Sequence, residues 1–288
     1  MPRALESPAV ADEGSASSGR GRRIGGRVLD ALPAVGAGVL ALAVWELFVP
    51  ITGVKPYLLP PAHSVVAEAI TDATDRFLPA SWITLQEVLI GFVIGCGLGI
   101  LLGILLSISR PVERAVMPVI AGVRAMPALV VAPLFVIWYG FTLTPKVLVA
   151  AFVCFFPALV NTTAGLTITP EAERQLFKSL GAGPVQMYTK LRLPAALPYI
   201  FIGAKNAVVL SVIGAIVGEW VGGGGGIGRM MIDSVTSNRT ERLMAAVAYS
   251  AAMAISLFLV VSALERLTLR WYFLSRGARS GANAAARG

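Results

Sequence analysis

The chain has 288 residues, of which 56% are hydrophobic and 14% charged, with a mean hydropathy of +0.75. Soluble domains carry about 25% charged residues, so a fully water-facing surface is excluded and the membrane class follows. The net charge of +8 comes from arginines scattered beside apolar runs, which suits lipid headgroups and gives no phosphate-binding face, so no nucleic-acid partner is expected.

Residues 1–27 are rich in Ser, Gly, Ala and Arg, lack aromatics, and read as a disordered tail. Arg20, Arg22, Arg23 and Arg27 precede the apolar run Leu32 to Val49. Its near-spanning length and the lack of a convincing cleavage site favour a retained helix over a cleaved signal. Continuous apolar runs predict six transmembrane helices, at about 33–50, 84–108, 115–138, 146–168, 199–221 and 243–264. The period-two alternation of a β-barrel is missing from them. Residues 28–272 therefore read as an all-α, polytopic membrane domain and 273–288 as a second tail. With the N-terminus inside, sixteen Lys and Arg residues fall on inner segments and six on outer ones, Lys146 among the six. That asymmetry predicts that both termini are cytoplasmic.

The first outer segment, 51–83, opens with Pro56, Pro60 and Pro61 and continues into an amphipathic stretch from Ser64 to Phe77. His63, the sole histidine, reads there as a plain surface residue. Cys96 and Cys154 both lie inside apolar runs, which argues against a disulfide framework or a zinc site. Ionisable residues inside spans are costly and invite a functional reading. Arg124 lies about nine residues into the third span, roughly 14 Å deep at about 1.5 Å per residue. It either attracts an anionic substrate or pairs with a carboxylate or helix-end carbonyls. Glu46 and Lys205 read as packing partners or snorkelling residues, and Glu219, near the outer end of the fifth span, as a gate residue. Pro118, Pro127, Pro133 and Pro157 should kink their helices, which suits a central pathway.

Between the fourth and fifth spans, Thr169 reads as an N-cap, with Pro170 at the first helical position and Glu171 and Glu173 in the first turn. The helix should end at Leu180, with Gly181 taking a left-handed conformation. Pro184 then starts a second short helix, which Pro194 and Pro198 should break before the fifth span. Leu176, Phe177, Leu180, Met187, Tyr188 and Leu191 make this loop more apolar than solvation requires. It is either a knob that docks into a partner's groove or an interfacial hairpin. After the fifth span, Gly222 to Gly226 with Ile227 and Gly228 form a glycine-rich segment. This is either a flexible connector or a place where the backbone closely approaches another protein.

Gly181, nine residues, then Leu191-x-Leu193-Pro194 resembles the loop of ATP-binding-cassette (ABC) importer permeases written Glu-Ala-Ala-x3-Gly-x9-Ile-x-Leu-Pro. Leu59-Pro60 with Ser64-Val65, Arg124-Ala125-Met126-Pro127, and Pro133 through Trp138-Tyr139-Gly140 resemble the nitrate, sulfonate and taurine branch of that family. So do Phe155-Phe156-Pro157 with Asn161-Thr162, Ser179-Leu180-Gly181-Ala182, and Leu193 through Pro198. The resemblance runs from about residue 58 to 270. It implies a type I importer permease fold and a small nitrate-, sulfonate- or taurine-like anion as solute, with an aromatic or pyrimidine vitamin or precursor as the alternative. It also implies cytoplasmic ABC ATPase subunits, an extracytoplasmic solute-binding protein and a second permease copy as partners, in a lipid bilayer and without a cofactor.

The site residues implied are a coupling loop at 169–198, carried by Gln175, Leu176, Phe177, Leu180, Gly181, Leu191, Leu193 and Pro194. A path or gate would be formed from Arg124, Pro127, Glu219, Gly226 and Gly228. One departure stands out, because Gln175-Leu176-Phe177 replaces Glu-Ala-Ala and removes an acidic residue from the coupling contact. No Gly-x4-Gly-Lys-Ser/Thr loop occurs, so ATP phosphates are not cradled by these residues and hydrolysis falls to a separate subunit. A membrane enzyme is disfavoured, since no His-x4-His or paired-aspartate arrangement appears. A channel would not need the docking loop.

Overall fold

The computed structural model describes residues 22–270, and side chains from residue 36 onward together with Pro33. The expected tails therefore lie outside the described residues, except that residues 22–27 begin a helix. No strand occurs among the described residues. The chain divides into two compact units, residues 1–63 and 64–288.

In the first unit, helix α1 spans Arg22–Thr52. Its apolar part, Gly36–Thr52, is about 25 Å long at about 1.5 Å per residue, short of the roughly 30 Å hydrocarbon core. The turn that follows is pinned to it, because the Trp45 indole donates to the Pro60 carbonyl at 3.2 Å. Glu46 receives both the His63 backbone N–H, at 3.1 Å, and the His63 ring Nδ1, at 2.6 Å. Glu46 is thus a local anchor, and His63 remains solvent-facing.

The second unit holds α2 (Ala62–Thr71, whose first two residues belong to the first unit), α3 (Leu78–Ile108), α4 (Arg110–Arg124), α5 (Ala128–Tyr139) and α6 (Leu143–Thr167). It continues with α7 (Glu171–Ser179), α8 (Pro184–Met187), α9 (Leu193–Gly222), α10 (Ile227–Thr236) and α11 (Thr240–Thr268). Wider π-type turns, Ala73–Phe77 and Tyr188–Arg192, join smoothly to α3 and α9. Four helical rods are long and apolar enough to cross a membrane: Ala73–Ile108, Leu143–Thr167, Pro184–Gly222 and Thr240–Thr268. They correspond to the second, fourth, fifth and sixth predicted spans. The third predicted span is instead a broken pair, α4 and α5, bent by 87°. Pro127 sits at the break in extended backbone and cannot donate the N–H that a continuous helix needs there. Pro118, Pro133 and Pro157 are accommodated inside α4, α5 and α6.

The central helix is α6, flanked by α3 and α9. Lipid tails are as apolar as leucine, so helices in a bilayer associate through close packing. Here small residues supply that closeness. Gly91, Gly95, Gly99 and Gly103 recur every fourth position on α3 and lie against Ala150, Ala151, Cys154, Ala158 and Thr162 of α6. Gly203, Gly214 and Gly218 of α9 likewise meet Asn161, Ala150 and Lys146. A Cβ on Gly214 would lie 2.7 Å from the Ala150 Cα. Beyond this seam, Val88, Ala150, Val212 and Ala215 form a buried cluster onto which Met253 and Leu257 of α11 pack. The Lys205 ammonium reaches Glu265 of α11 at 2.8 Å, resolving Lys205 as a packing partner. Phe77 stacks on Tyr249 at 4.7 Å, and Arg242 binds Glu68 and Asp72, which ties α2 to α11.

Gly95→Val should lower the unfolding temperature of the purified chain by the equivalent of at least about 1–3 kcal/mol, since any Cβ there collides with the Ala151 carbonyl. Gly97→Val on the same helix, where a Cβ meets nothing within 4 Å, should leave that temperature unchanged. Thermal unfolding in detergent reads both.

Candidate functional site

The predicted site residues fall into three places along the bundle. At the end that carries residues 169–198, here the loop end, α7 presents Gln175 and Leu176 outward, followed by Leu180 and Gly181, while Phe177 is half-buried. Leu176, Leu180 and Val185 are 57%, 75% and 72% exposed, an apolar ridge that no described residue covers. Gly181 has φ +74, and Ala182 N–H closes back on the Phe177 carbonyl at 3.0 Å. This is the six-residue closure of a Schellman motif, which glycine permits at little cost.

Two expectations need correction here. Pro170, not Thr169, caps α7, with ψ 142, and among the described residues the Thr169 hydroxyl makes no hydrogen bond. Pro194 and Pro198 do not break the chain before the fifth span. Pro194 lies where the π-type turn Tyr188–Arg192 passes into α9, and Pro198 lies inside the helix. Leu191, Leu193 and Pro194 are half-buried within this continuous rod.

The loop is anchored by residues that sequence reasoning did not single out for that role. Arg192 donates from Nε to the Leu166 carbonyl at 2.9 Å and from Nη2 to the Ser107 carbonyl at 3.1 Å. These are the last turns of α6 and α3, whose final carbonyls have no partner within their own helices. The guanidinium lies 5.2 Å from the Tyr188 ring, and the Tyr188 hydroxyl is 3.0 Å from Ser107 Oγ. The second half of the loop is thus fastened to the ends of two spans.

At the opposite, glycine-rich end, Glu219 is fully buried and draws Gly226 and Gly228 around itself. Its Oε1 accepts the Thr84 hydroxyl at 2.6 Å, and its Oε2 accepts the Gly228 N–H. Thr84 in turn accepts the Ile227 N–H at 2.9 Å. Gly226 has φ +122, and a Cβ there would collide with the Glu219 carboxylate. Lys146, counted above with the outer charges, is only 5% exposed. Its ammonium binds Glu87 Oε1 at 3.0 Å and the Gly225 carbonyl at 3.3 Å. Within the chain, the backbone of this segment is held against Glu219, Thr84 and Lys146.

Arg124 and Pro127 stand apart from both ends, at the break between α4 and α5. The cavity beside Arg124, about 250 Å³, is walled by Phe152, Phe156, Pro157 and Leu210 from the middles of α6 and α9. A second cavity of about 530 Å³, lined by Met117, Ile120 and Val160, also includes Arg124. Among the described residues Arg124 makes no ion pair, so the carboxylate partner considered from the sequence is not found among them.

Lys146→Met should strand the buried carboxyl group of Glu87 and cost about 3–5 kcal/mol. Adding Glu87→Leu should recover most of that loss. Unfolding temperatures of the two variants and of native protein decide the point.

The chain is similar to known transport proteins along most of its length. Residues 95–271 match the family described as binding-protein-dependent transport system inner membrane component. It is 34% identical to the formylaminopyrimidine transport permease protein ThiX of Halalkalibacterium halodurans, covering 81% of this chain and 93% of that one. It is 35% identical to the riboflavin transport system permease protein RibX of Chloroflexus aurantiacus, covering 83% and 91%. The putative aliphatic sulfonates transport permease protein SsuC of Bacillus subtilis is 30% identical, with 83% and 86% covered. In fold, an amino acid ABC transporter crystallised with histidines matches with a TM-score of 0.57 at 22% identity, covering 68% of this chain and 96% of that one. The chain belongs to the binding-protein-dependent transport family and is a permease subunit of an ABC importer, a multi-pass membrane protein whose ATPase is a separate subunit.

Proposed function

We propose that this permease forms one half of a translocation path for a small solute delivered by an extracytoplasmic binding protein. The loop end faces the cytoplasm, with both termini, and receives the ATPase. A second copy of the chain completes the path. The observation that carries this reading is the exposed ridge of Leu176, Leu180 and Val185 held out by Gly181 on a base fastened by Arg192. An apolar knob on a rigid base suits insertion into a groove on another protein. Gln175 in place of an acid leaves the contact mainly apolar, so the partner groove should be apolar too.

Gly181→Val should strain the turn by roughly 1–2 kcal/mol and tilt the ridge. In vesicles containing the whole importer, the expected result is normal insertion with most solute uptake lost and ATP hydrolysis weakened or uncoupled. Uptake at the native rate would remove the loop from the transmission path.

For the solute, the unpaired Arg124 at the helix break supports a small anion, as does the sulfonate relative. A second reading is a heteroaromatic vitamin or precursor. It is favoured by the two relatives at 34% and 35% identity and by the Phe152 and Phe156 wall beside Arg124. Arg124→Gln separates the two. An anion importer should lose at least about tenfold in uptake while assembling normally, the cost of one charge-assisted hydrogen bond. An importer of a neutral heteroaromatic should keep most of its rate. Mass spectrometry of the ligand carried by the cognate binding protein identifies which solute to assay.

A further inference from the structure

Along the apolar run of α9, several polar side chains find partners inside the chain. The Lys205 ammonium is held by Glu265 at 2.8 Å, Ser211 donates to the Val208 carbonyl at 2.8 Å, and Glu219 accepts the Thr84 hydroxyl at 2.6 Å. Asn206 differs. It is exposed, and among the described residues its amide makes no hydrogen bond. It lies about seven residues inside the fifth predicted span, roughly 10 Å from the nearer end. Hydrocarbon offers an amide no partner at that depth, and polar groups there face a bundle interior, a watery cavity or another protein. Exposed Ser256 of α11 avoids the cost by donating back to the Ala252 carbonyl at 2.7 Å.

The neighbours of Asn206 point to the cavity. Leu210, four positions on and so on the same side of α9, walls the Arg124 cavity together with Pro157 of α6. Asn161 stands four positions beyond Pro157, on the side of α6 that they share. It is half-buried and donates from Nδ2 to the Pro157 carbonyl at 2.8 Å, which leaves it one N–H and its carbonyl oxygen. The two helices are close at this level. A Cβ on Gly203, three positions before Asn206, would lie 2.9 Å from the Asn161 Cβ. The two amides therefore lie within about one turn of each other in depth, both toward the loop end from the cavity.

We propose, on the basis of the transport reading above, that Asn206 and Asn161 form the next rung of the path beyond Arg124, holding the hydrogen-bonding edge of the passing solute. A carboxamide offers two N–H donors and a carbonyl acceptor. Such a rung meets the acceptor oxygens of a small anion and the mixed donor and acceptor edge of a heteroaromatic alike. Arg124 selects by charge and the amides select by hydrogen-bond pattern. A solute stripped of water by apolar walls thus keeps partners for its polar edge.

The test uses the whole importer, permease with its ATPase and binding protein, in nanodiscs whose two faces are both open to solution. Asn206→Cys and Asn161→Cys are each treated with 2-sulfonatoethyl methanethiosulfonate, a water-soluble anionic thiol reagent, at rest and during ATP turnover. Intact mass reads the labelling. The native chain is the blank, because Cys96 and Cys154 are buried. Val93→Cys is the apolar reference, since Val93 is 68% exposed and points away from the side of α3 that carries Gly91 and Gly95 against α6. Both positions should label at least about tenfold faster than position 93 in one condition or the other, because a sulfonate does not enter hydrocarbon. Labelling at either position no faster than at 93, or a disulfide joining position 206 of two copies, overturns the rung. In vesicles, Asn206→Leu should lower uptake of the solute carried by the cognate binding protein by about tenfold or more. ATPase co-purification should be unchanged, and Asn206→Gln should restore part of the uptake. Native-rate uptake by Asn206→Leu also overturns the rung, and labelling decides the matter where that variant fails to assemble. Uptake by the native importer, measured alongside, tests the transport reading separately.

Discussion

Closeness of backbones around α6 is the constraint on which the second unit rests. In water, burying leucine would hold such helices together. In lipid that force is largely missing, and contact area at short range must replace it. Glycines at every fourth position of α3 and along one face of α9 let both neighbours approach α6 until backbone meets side chain. Only at that distance can Lys146 reach Glu87 from α6 and Gly225 beyond α9. The same closeness lets Thr84 of α3 serve Glu219 of α9. The polar anchors at both ends of the bundle are consequences of the seam between them.

The anchors themselves follow one rule at two addresses. A charged group at a helix end inside the bundle is retained where it satisfies backbone that would otherwise be orphaned. At the loop end Arg192 takes the last carbonyls of two helices. At the glycine end Glu219 takes an N–H from the first turn of α10, and Lys146 takes a carbonyl from the turn preceding it. Cation and anion are each placed where the exposed backbone has the opposite polarity. Arg124 does not follow this rule: it lies at the break between α4 and α5 and makes no ion pair among the described residues.

Much of this was legible from residue order, and the gaps have physical causes. Length and composition alone identify α3, α6, α9 and α11, because nothing but a spanning helix needs such runs. Pro127 marks a kink, but its 87° size depends on what α4 and α5 pack against. Glu219, Gly226 and Gly228 can be suspected because they lie within nine residues of one another. Their partner Thr84 is 135 positions from Glu219, and Glu87 is 59 from Lys146, distances at which no local pattern operates. Thr169 followed by Pro170 fits the rule for an N-cap, but backbone geometry put the cap one residue later and freed the hydroxyl.

The unbroken rod from Pro184 to Gly222 has a mechanical consequence. Val185, on the exposed ridge, and Glu219, inside the glycine clasp, ride on one stiff element about 50 Å apart at about 1.5 Å per residue. A tilt of only about 5° about one end would sweep the other through roughly 4 Å, more than a hydrogen bond can stretch and survive. Through this one helix, a change of tilt at the ridge would be felt as a change of hydrogen-bond length at Glu219.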